Sequence, residues 1–398
     1  MAKNGKERKK KRVLIVIEMS RGFGRKLIEG IAQYATEQKR WDFFLCDHDA
    51  ANQHLQRLEA WNGDGLIARV NNKNLNQFFH KFRGEKINLA ADDKEFPIYV
   101  RLNNERCGVL AAEHFWERGY RNFSYFSMGH TYWSQFRYYC FVHALQKHES
   151  VCFLCPQANR KNSLTLPTLW WSGLDDSVLN WVKSLPKPIG IFCANDNHAF
   201  YLTNLCSSYD VGIPEEVAIL GTDNDESLCK TTTPPISSIN PNAKIIGYQS
   251  AKILDLMMNG DPLPEFPILV DPAGIVVRQS TDNIAVNDPI VAHALRFIRT
   301  EVARNLRVSD VTKETGVSRG TLNMLFHQHL RCSPIEEIIR IRMKWAKELL
   351  RDTPISVAEI SQMLGYQTPE YFSHAFTRVE NISPRNYRIL HQSTKKRE

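Results

Sequence analysis

Residues 361–388 read SQMLGYQTPEYFSHAFTRVENISPRNYR, and their turn chemistry predicts two short helices joined by a tight turn. The first helix is expected to end at Gly365, because glycine readily adopts the positive φ that closes a helix. Thr368 is a good N-cap for the second helix, and Pro369 suits its first turn. Apolar residues then recur at helical spacing up to Phe376. The stretch therefore predicts a helix-turn-helix unit.

The same pattern occurs earlier in the chain. Residues 308–334, VSDVTKETGVSRGTLNMLFHQHLRCSP, repeat the pattern of residues 357–384. The matching positions are Val308, Val311, Gly316, Phe326 and Pro334 with Val357, Ile360, Gly365, Phe376 and Pro384. Ser318 is the corresponding N-cap of the second helix. The intervening segment, SPIEEIIRIRMKWAKELLRDT, has the spacing of a longer amphipathic helix. The sequence therefore predicts two helix-turn-helix units joined by a long helix.

The outward face of each second helix carries short polar side chains rather than the Glu/Lys ladder of a solvated surface. They are Arg319, Asn323 and His327 in the first unit, and Glu370, Ser373, His374 and Thr377 in the second. Such groups can reach base edges in the major groove. Residues 284–398 also carry a net charge of +6, as do residues 1–12. This composition favours DNA as the partner of the C-terminal region, whereas residues 1–12 suit either a polyanion contact or a solubilising tail.

The motifs ISQMLGY, YFSHAF and ISPRNYR make residues 288–390 resemble the DNA-binding domain of AraC-type transcription regulators. The DNA-binding positions that the resemblance implies are Arg319, Gly320, Asn323, Met324, Thr368, Glu370, Ser373 and His374. Gly320 and Met324 depart from the larger or more polar residues common in that family. Contacts with phosphates, which position a protein without reading sequence, suit Arg378, Arg385 and Arg388.

The middle of the chain, residues 13–280, alternates strand-like and helix-like segments, as in RVLIVIEM followed by RGFGRKLIEGIAQYATEQ. Apolar strands separated by amphipathic helices predict parallel sheets in an α/β fold. Such sheets bind ligands at the carboxyl ends of their strands. The polar residues at these ends are Glu18, Arg21, Asn195, Asp196, Asp223 and Asp225. They predict a small-molecule site, although Asp196 and Asp225 suit helix capping equally well.

Several phrases of this region resemble the periplasmic-binding-protein-like effector domain of LacI/GalR regulators, among them GDGLIARV, LPKPIGIFCANDNHA and GIPEEVAILGTDND. The resemblance implies two similar lobes with a sugar in the cleft between them. It places the three crossings of the chain between lobes near residues 121, 239 and 266. The ligand-binding residues expected from the resemblance and the strand ends are Glu18, Arg21, Trp133, Arg137, Asn195 and Asp223. Their acceptors and fixed donors suit sugar hydroxyls.

Two aromatic residues near the expected cleft have two possible roles. Trp133 or Phe23 is expected either to stack on the apolar face of a sugar ring or to pack in the cleft wall.

Together the resemblances predict the fold class, an α/β two-lobed periplasmic-binding-protein-like domain followed by an all-α domain with two helix-turn-helix units. The predicted limits are a basic tail (1–12), the effector domain (13–280), a linker (281–290), the DNA-binding domain (291–392) and a basic tail (393–398). A DNA reader at the C-terminus of a LacI-like domain resembles the order in bacterial xylose-responsive activators. That order implies D-xylose or a related sugar as effector, promoter DNA and RNA polymerase as partners, a homodimer and no cofactor. A repressor of the same architecture is the nearest alternative.

Other function classes fit the sequence less well. A sugar-modifying enzyme would use the aspartates for acid–base chemistry, yet no nucleophile elbow, metal-ligand helix or phosphate loop accompanies them. A transport-type sugar-binding protein needs a secretory signal, and VLIVIEM is too short to serve as one. A nonspecific architectural DNA-binding protein is a third alternative. Metal binding would rest on Cys152 and Cys155, whose spacing also fits a buried strand.

The compartment follows from two features of the composition. The longest apolar runs fall short of the ~18 residues that a membrane span requires. The nine cysteines are scattered and odd in number, which suits reduced thiols better than a disulfide framework. The sequence therefore predicts a cytoplasmic protein without a membrane partner.

Overall fold

A computed structural model describes residues 10–39, 41–47, 51, 55–69, 73–89, 100–128, 131–146, 152–154, 176–282, 288–301 and 306–392. The chain divides into two compact units, residues 1–283 and 284–398. Cys155 of the predicted metal motif and the predicted tail 393–398 lie outside the described residues. Within the described ranges, no helix is both long enough and apolar enough to cross a membrane.

The first lobe of the larger unit is built on a parallel sheet. Its strands are β1 (Lys11–Ile17), β2 (Trp41–Asp47), β3 (Gly65–Ala68) and β4 (Glu85–Asn88). They lie in the order β2-β1-β3-β4, so the apolar β1 is central and its residues 13–17 are buried. The helices that follow these strands are α1 (Gly22–Gln38), α2 (Leu55–Glu59) and α3 (Lys73–Lys81). Leu14 and Val16 pack against Phe78 of α3, which covers one face of the sheet.

The second lobe is built on a larger sheet. The remaining strands are β5 (Val100–Leu102), β6 (Asn122–Phe126), β7 (Cys152–Leu154), β8 (Ile189–Cys193), β9 (Val217–Thr222), β10 (Ser237–Asn240), β11 (Ile268–Val270) and β12 (Gly274–Val276). The sheet has the order β12-β10-β9-β8-β6-β7, with β12 antiparallel to its neighbour. Its helices are α4 (Asn104–Glu117), α5 (Tyr132–Gln146), α6 (Asp176–Ser184), α7 (Asp196–Ser208) and α8 (Glu226–Cys229). A 3-10 turn, Gln279–Thr281, follows β12.

The first crossing between the lobes comes earlier than predicted. β5 pairs with β11, and α4 then packs on the second lobe. A Cβ on Gly108 of α4 would touch the backbone of Phe141 in α5, and one on Gly190 of β8 would touch Phe115. The chain therefore crosses near Asn103, and the prediction of residue 121 is wrong, because α4 covers the second sheet rather than the first.

The other two crossings lie close to the predicted positions. One falls between β10 and α9 (Ala243–Asn259), and the other between β11 and β12. Helix α9 returns to the first lobe and packs closely on α1, since a side chain at Gly30 or Gly247 would collide with the opposite backbone. Asp255 of α9 is buried and accepts hydrogen bonds of 3.0 Å from the side chains of Tyr34 and Trp41.

The smaller unit consists, where described, of helices and short turns. They are α10 (Pro289–Glu301), α11 (Val308–Thr315), α12 (Arg319–Leu330), α13 (Pro334–Asp352), α14 (Val357–Met363), α15 (Pro369–Glu380) and α16 (Pro384–Gln392). Helices α11 and α12 form one helix-turn-helix unit and α14 and α15 the other, with α13 between them. Each unit has its own apolar core, which includes Phe326 in the first and Phe376 in the second.

The turns of the two units have the predicted chemistry. Gly316 ends α11 with a φ of 70°, and Gly365 follows α14 with a φ of 73°. The Ser318 hydroxyl accepts the N–H of residue 321 at 3.1 Å, and the Thr368 hydroxyl accepts that of residue 371 at 3.2 Å. The predicted N-caps of both second helices are therefore confirmed.

Candidate functional sites

At the carboxyl end of β1, Glu18 lies next to two arginines. The Arg69 guanidinium, which follows β3, pairs with Glu18 Oε1, and Arg21 Nη1 lies 3.9 Å from the same oxygen. Arg69 also lies over the Phe23 ring, 5.0 Å from its centroid. Glu18 and Arg21 were predicted from the sequence. Arg69 was not, because GLIARV has the ordinary pattern of a strand end.

In the second lobe, Arg137 of α5 is almost fully buried. Its Nε donates to Asn104 Oδ1 at 3.0 Å, and its Nη1 donates to the carbonyl oxygen of Ala194. Its guanidinium lies 5.3 Å from the centroid of the half-buried Trp133 ring. These contacts hold the head of Arg137 at the carboxyl end of β8, where the sequence predicted a ligand.

Asn195 and Asp223 occupy the ends of neighbouring strands. Asn195 is buried, and its Oδ1 accepts the N–H of His198 at 3.0 Å, so it caps α7. Asp223 has a φ of 112°, which side-chain-bearing residues rarely adopt. Such backbone strain concentrates at functional sites.

Charges from both lobes converge on Asp223. Burial raises its pKa to about 6, the positive charges of Arg137, Arg69 and Arg21 oppose this rise, and the negative charge of Glu18 adds to it. Arg137 belongs to the second lobe, whereas Arg69, Arg21 and Glu18 belong to the first. The arrangement offers carboxylate acceptors and guanidinium donors to a polar ligand.

Asp196 supports the loop 223–225 through two hydrogen bonds, one of them to its backbone. Its Oδ1 accepts the Ser238 hydroxyl at 2.6 Å, and its Oδ2 accepts the N–H of Asp225 at 2.7 Å. Burial, and then the charge of Asp223, raises the pKa of Asp196 above its ordinary value. Since Asn195 caps α7, the predicted capping role of Asp196 is wrong.

Asp225 joins the two lobes. Its Oδ1 accepts the N–H of residue 227, so the predicted capping of α8 is confirmed. Its Oδ2 accepts the N–H of Gly22 at 2.8 Å, and Arg25 Nη2 lies 3.3 Å from the same oxygen. Lys26 also donates to the carbonyl oxygen of Asn224 at 2.8 Å. The N-terminus of α1 in the first lobe is thus bonded directly to the loop that carries Asp223.

The same loop contacts the segment that ends the larger unit. Arg278 donates to Asn224 Oδ1 at 2.8 Å. Three residues on, Thr281 is buried, and its hydroxyl lies 2.8 Å from His114 Nε2. The Ser280 hydroxyl donates to the carbonyl oxygen of residue 219 in β9 at 2.6 Å. Residues 278–281 are therefore bonded to the second lobe and to its loop 223–225.

In the smaller unit, α12 presents the predicted residues on one face. Arg319, Gly320 and Met324 are exposed and Asn323 is half-buried, whereas Phe326 is buried on the opposite side. Met324 is 59% exposed, which is high for a large apolar residue. This face is open to a partner.

Helix α15 presents the matching face of the second unit. Glu370, His374 and Arg378 are exposed, and Ser373 is half-buried. Its exposed residues also include Tyr371, which was not predicted. Tyr371 is 67% exposed, and its ring centroid lies 6.0 Å from that of Tyr366, in the turn after α14. Its helical position, one residue after Glu370, was the available signal.

Two predicted DNA contacts have local partners. The Thr368 hydroxyl is already engaged as the N-cap of α15. Arg388 is half-buried and donates to the carbonyl oxygens of Leu350 and Ile355, so it ties α16 to the end of α13. Arg388 thus has local partners, whereas Arg385 is exposed.

Family models match consecutive parts of the chain. The XylR N-terminal domain matches residues 12–101, the periplasmic binding protein-like domain matches residues 112–281, and a helix-turn-helix domain matches residues 311–389. The chain is similar over most of its length to XylR-type regulators, and its C-terminal part matches a helix-turn-helix domain. The predicted fold class of this XylR-like regulator is confirmed, with a two-lobed α/β domain followed by a helical helix-turn-helix domain.

Full-length relatives of the XylR-like regulator are transcription regulators. It is 26% identical over 393 residues to the xylose operon regulatory protein of Escherichia coli (strain K12), covering 96% of this chain and 97% of that protein. The protein of the same name from Haemophilus influenzae is 27% identical over 390 residues, covering 95% and 98%. The predicted class, a transcription regulator with a helix-turn-helix DNA-binding domain, is confirmed.

Over a shorter stretch, the chain has a relative of higher identity. The lactose operon transcription activator of Staphylococcus xylosus is 40% identical over 103 residues, which cover 26% of this chain and 37% of that protein.

Solved structures share the fold of the XylR-like regulator. The structure of the xylose-binding transcription activator xylR matches with a TM-score of 0.60 and 24% identity, over 96% of this chain and 99% of that chain. A LacI transcriptional regulator from Alkaliphilus metalliredigens, complexed with D-xylulofuranose, matches with a TM-score of 0.56 and 19% identity, over 68% and 98%.

Proposed function

We propose that this regulator activates transcription in response to D-xylose and binds promoter DNA as a homodimer in the cytoplasm. The observation that carries the proposal is the match over both domains, in which 96% of this chain aligns with 97% of a xylose operon regulatory protein. We assign residues 13–282 to the effector domain, because Thr281 is bonded to His114 of the second lobe. We assign residues 289–392 to the DNA-binding domain, whose first helix begins at Pro289, and the residues between to the linker. The basic residues 1–12 and 393–398 are its tails.

The proposed effector site lies at the strand ends between the lobes. It consists of Glu18, Arg21, Trp133, Arg137, Asn195 and Asp223, to which we add Arg69. Glu18 and Asp223 supply acceptors for sugar hydroxyls, and the arginines supply donors of fixed geometry. Trp133 supplies apolar surface for the C–H face of the ring. The support is the pairing of Arg69 with Glu18 in the first lobe and the buried Arg137 in the second, with Asp225 bonded across to Gly22.

The sugar acts by shifting the population of lobe arrangements. A ligand that touches both lobes favours their closed arrangement to the extent that it binds that arrangement more tightly. The loop 223–225 already contacts α1 through Asp225 and contacts Arg278 through Asn224. We infer that closure is passed from this loop to residues 278–281, from which the chain continues to the reader.

The proposed DNA interface lies on α12 and α15, which enter successive major-groove segments about one turn, ~34 Å, apart. Its residues are Arg319, Gly320, Asn323, Met324, Thr368, Glu370, Ser373, His374 and Arg378. Arg378 contacts a phosphate, Thr368 caps α15 at the interface, and the others lie toward base edges. Activation requires RNA polymerase as a further partner at the promoter.

Calorimetry of the full-length protein with D-xylose, L-arabinose, D-ribose and D-glucose tests the effector. D-Xylose is expected to bind most tightly, and Asp223→Asn to weaken binding at least tenfold. Asp210→Asn is the matched control, because Asp210 is an exposed carboxylate of the same lobe. D-Xylose that binds without changing promoter affinity, or that lowers transcription, contradicts the proposal. The second outcome would favour a repressor.

A second experiment tests the proposed coupling between the loop 223–225 and the DNA-binding domain. Arg278→Gln removes the contact with Asn224 but leaves the cleft residues in place. Its affinity for D-xylose is expected to stay within about threefold of the native value, while the sugar-dependent change in promoter affinity falls. An unaltered change in promoter affinity would contradict this route.

A further inference from the structure

The two recognition helices present different chemistry at matched positions. The repeat aligns Gly320, Asn323 and Met324 of α12 with Glu370, Ser373 and His374 of α15. We propose that α12 reads A·T base pairs, with the Met324 side chain against the C5-methyl group of a thymine and the Asn323 amide on an adenine. The proposal rests on the proposed DNA-binding function and adds the identity of the bases.

The exposure of Met324 is the first observation. Met324 is 59% exposed, whereas the apolar residues of the same helix that face the core, Leu322 and Phe326, are fully buried. Met324 therefore contributes little to the core of its own unit. Its flexible, polarisable side chain adapts to the shape of an apolar partner, and bound DNA would remove this apolar surface from water.

Gly320 provides the second observation. Helical side chains lean toward the N-terminus and lie over the preceding turn, so Met324 lies over the turn that contains Gly320. A Cβ at Gly320 would find its nearest neighbour, Ser318 Oγ, at 3.8 Å. Position 320 is thus open and places no side chain between Met324 and a groove floor. The two departures from the family pattern, a glycine and a methionine four residues apart, form one feature.

The chemistry of the major groove selects the base. Thymine is the only standard base that presents a methyl group there, and apolar side chains recognise it by contact. Asn323 has both an amide donor and a carbonyl acceptor, which match N7 and the N6 amino group of adenine. On α15, by contrast, Glu370 can only accept when ionised, which suits the N4 amino group of cytosine. The half-site under α12 is therefore richer in A·T pairs than the half-site under α15.

Replacement of thymine by deoxyuridine tests the proposal, because it removes the methyl group and keeps base pairing. The operator is first selected from random duplexes with the full-length protein, and each thymine is then replaced singly. We expect one thymine of the α12 half-site at which deoxyuridine weakens binding about three- to fivefold, the value of one buried methyl group. In Met324→Ala, thymine and deoxyuridine at this position are expected to bind equally.

Two control variants separate this contact from general damage. His374→Ala, at the matched position of α15, should keep the full methyl effect, and Met324→Leu should keep most of it. A native protein without any methyl effect in the α12 half-site, or a methyl effect that survives in Met324→Ala, overturns the inference alone. A selection that yields no preferred sequence overturns both the inference and the proposed sequence-specific function.

Discussion

The effector cleft and the recognition helices hold their polar side chains in opposite ways. In the cleft, Arg137 is 4% exposed, and its guanidinium donates to Asn104 and to a carbonyl oxygen. On the recognition helices, Arg319 and Glu370 are exposed. The stability of a domain depends on its buried charges keeping their partners, whereas exposed charges contribute little to folding. Substitutions should therefore change folding and effector binding together in the cleft, but only DNA binding in the reader.

The largest expected effect is that of Arg137→Ala. The substitution removes a buried cation and leaves Asn104 and the charged Asp223 without it, which typically costs about 3–5 kcal/mol of unfolding free energy. Urea unfolding of the full-length protein measures this loss, and D-xylose binding should disappear with it. Arg319→Ala is the matched control and should change unfolding by less than about 0.5 kcal/mol. Equal losses of unfolding free energy in Arg137→Ala and Arg319→Ala would contradict the expected difference between the cleft and the recognition helices.

Base-reading residues should show the reverse pattern. Asn323→Ala and Glu370→Ala are each expected to weaken binding to the selected operator by about 1–3 kcal/mol and to relax specificity at one base pair. Their unfolding free energies should match that of the native protein. Competition binding with single-base operator variants assigns each residue to its position, and a loss spread evenly over all sequences would exclude a reading role.

The effector cleft should also respond to pH. The pKa of Asp223 is raised to about 6, so below that pH its carboxyl group is protonated and must lose a proton before both oxygens can accept sugar hydroxyls. Sugar affinity is expected to fall up to tenfold per pH unit below about 6, and Asp223→Asn should abolish this dependence. The sign for folding is opposite, because a raised carboxyl pKa in the folded state stabilises the sugar-free protein as the pH falls through 6. Calorimetry and urea unfolding at pH 5 and pH 7.5 measure both trends.

The smallest expected effect is that of Arg378→Ala. Loss of one phosphate contact should weaken binding to all sequences alike and reduce the slope of log K against log salt by about 1. Arg388→Ala is an informative counterpart, since Arg388 is bonded to carbonyl oxygens of α13 and the following loop. It should lower the unfolding free energy and leave the salt slope unchanged. A change of slope in Arg388→Ala alone would reverse these roles.

Short-range rules were enough to predict the two helix-turn-helix units and the polar residues that lie at the ends of the strands. The N-caps Ser318 and Thr368 and the helix ends at Gly316 and Gly365 follow from short-range backbone chemistry. The placement of polar residues at the carboxyl ends of parallel strands follows from the topology of the sheet and led to Asp223. The pairing of particular side chains across the sheet and between the lobes could not be predicted from these rules.

The missed features depend on contacts between distant parts of the chain. Arg69 meets Glu18 only after β3 has paired with β1, and nothing in its local sequence marks it. The bond from Asp225 to Gly22 spans the two lobes. The first crossing was misplaced because the amphipathic pattern of α4 identifies a buried face but not the sheet that covers it.

The bonding of residues 278–281 has a practical consequence for protein engineering. These residues look like the start of a linker, yet Ser280 and Thr281 are fully buried and hydrogen-bonded to β9, to β10 and to α4. A chimera that joins this effector domain to a different reader should therefore be cut after Asp282. A cut before Arg278 would expose the interior of the second lobe and remove the contact between Arg278 and the loop 223–225. We therefore expect such a hybrid to be unstable and to lose its response to the sugar.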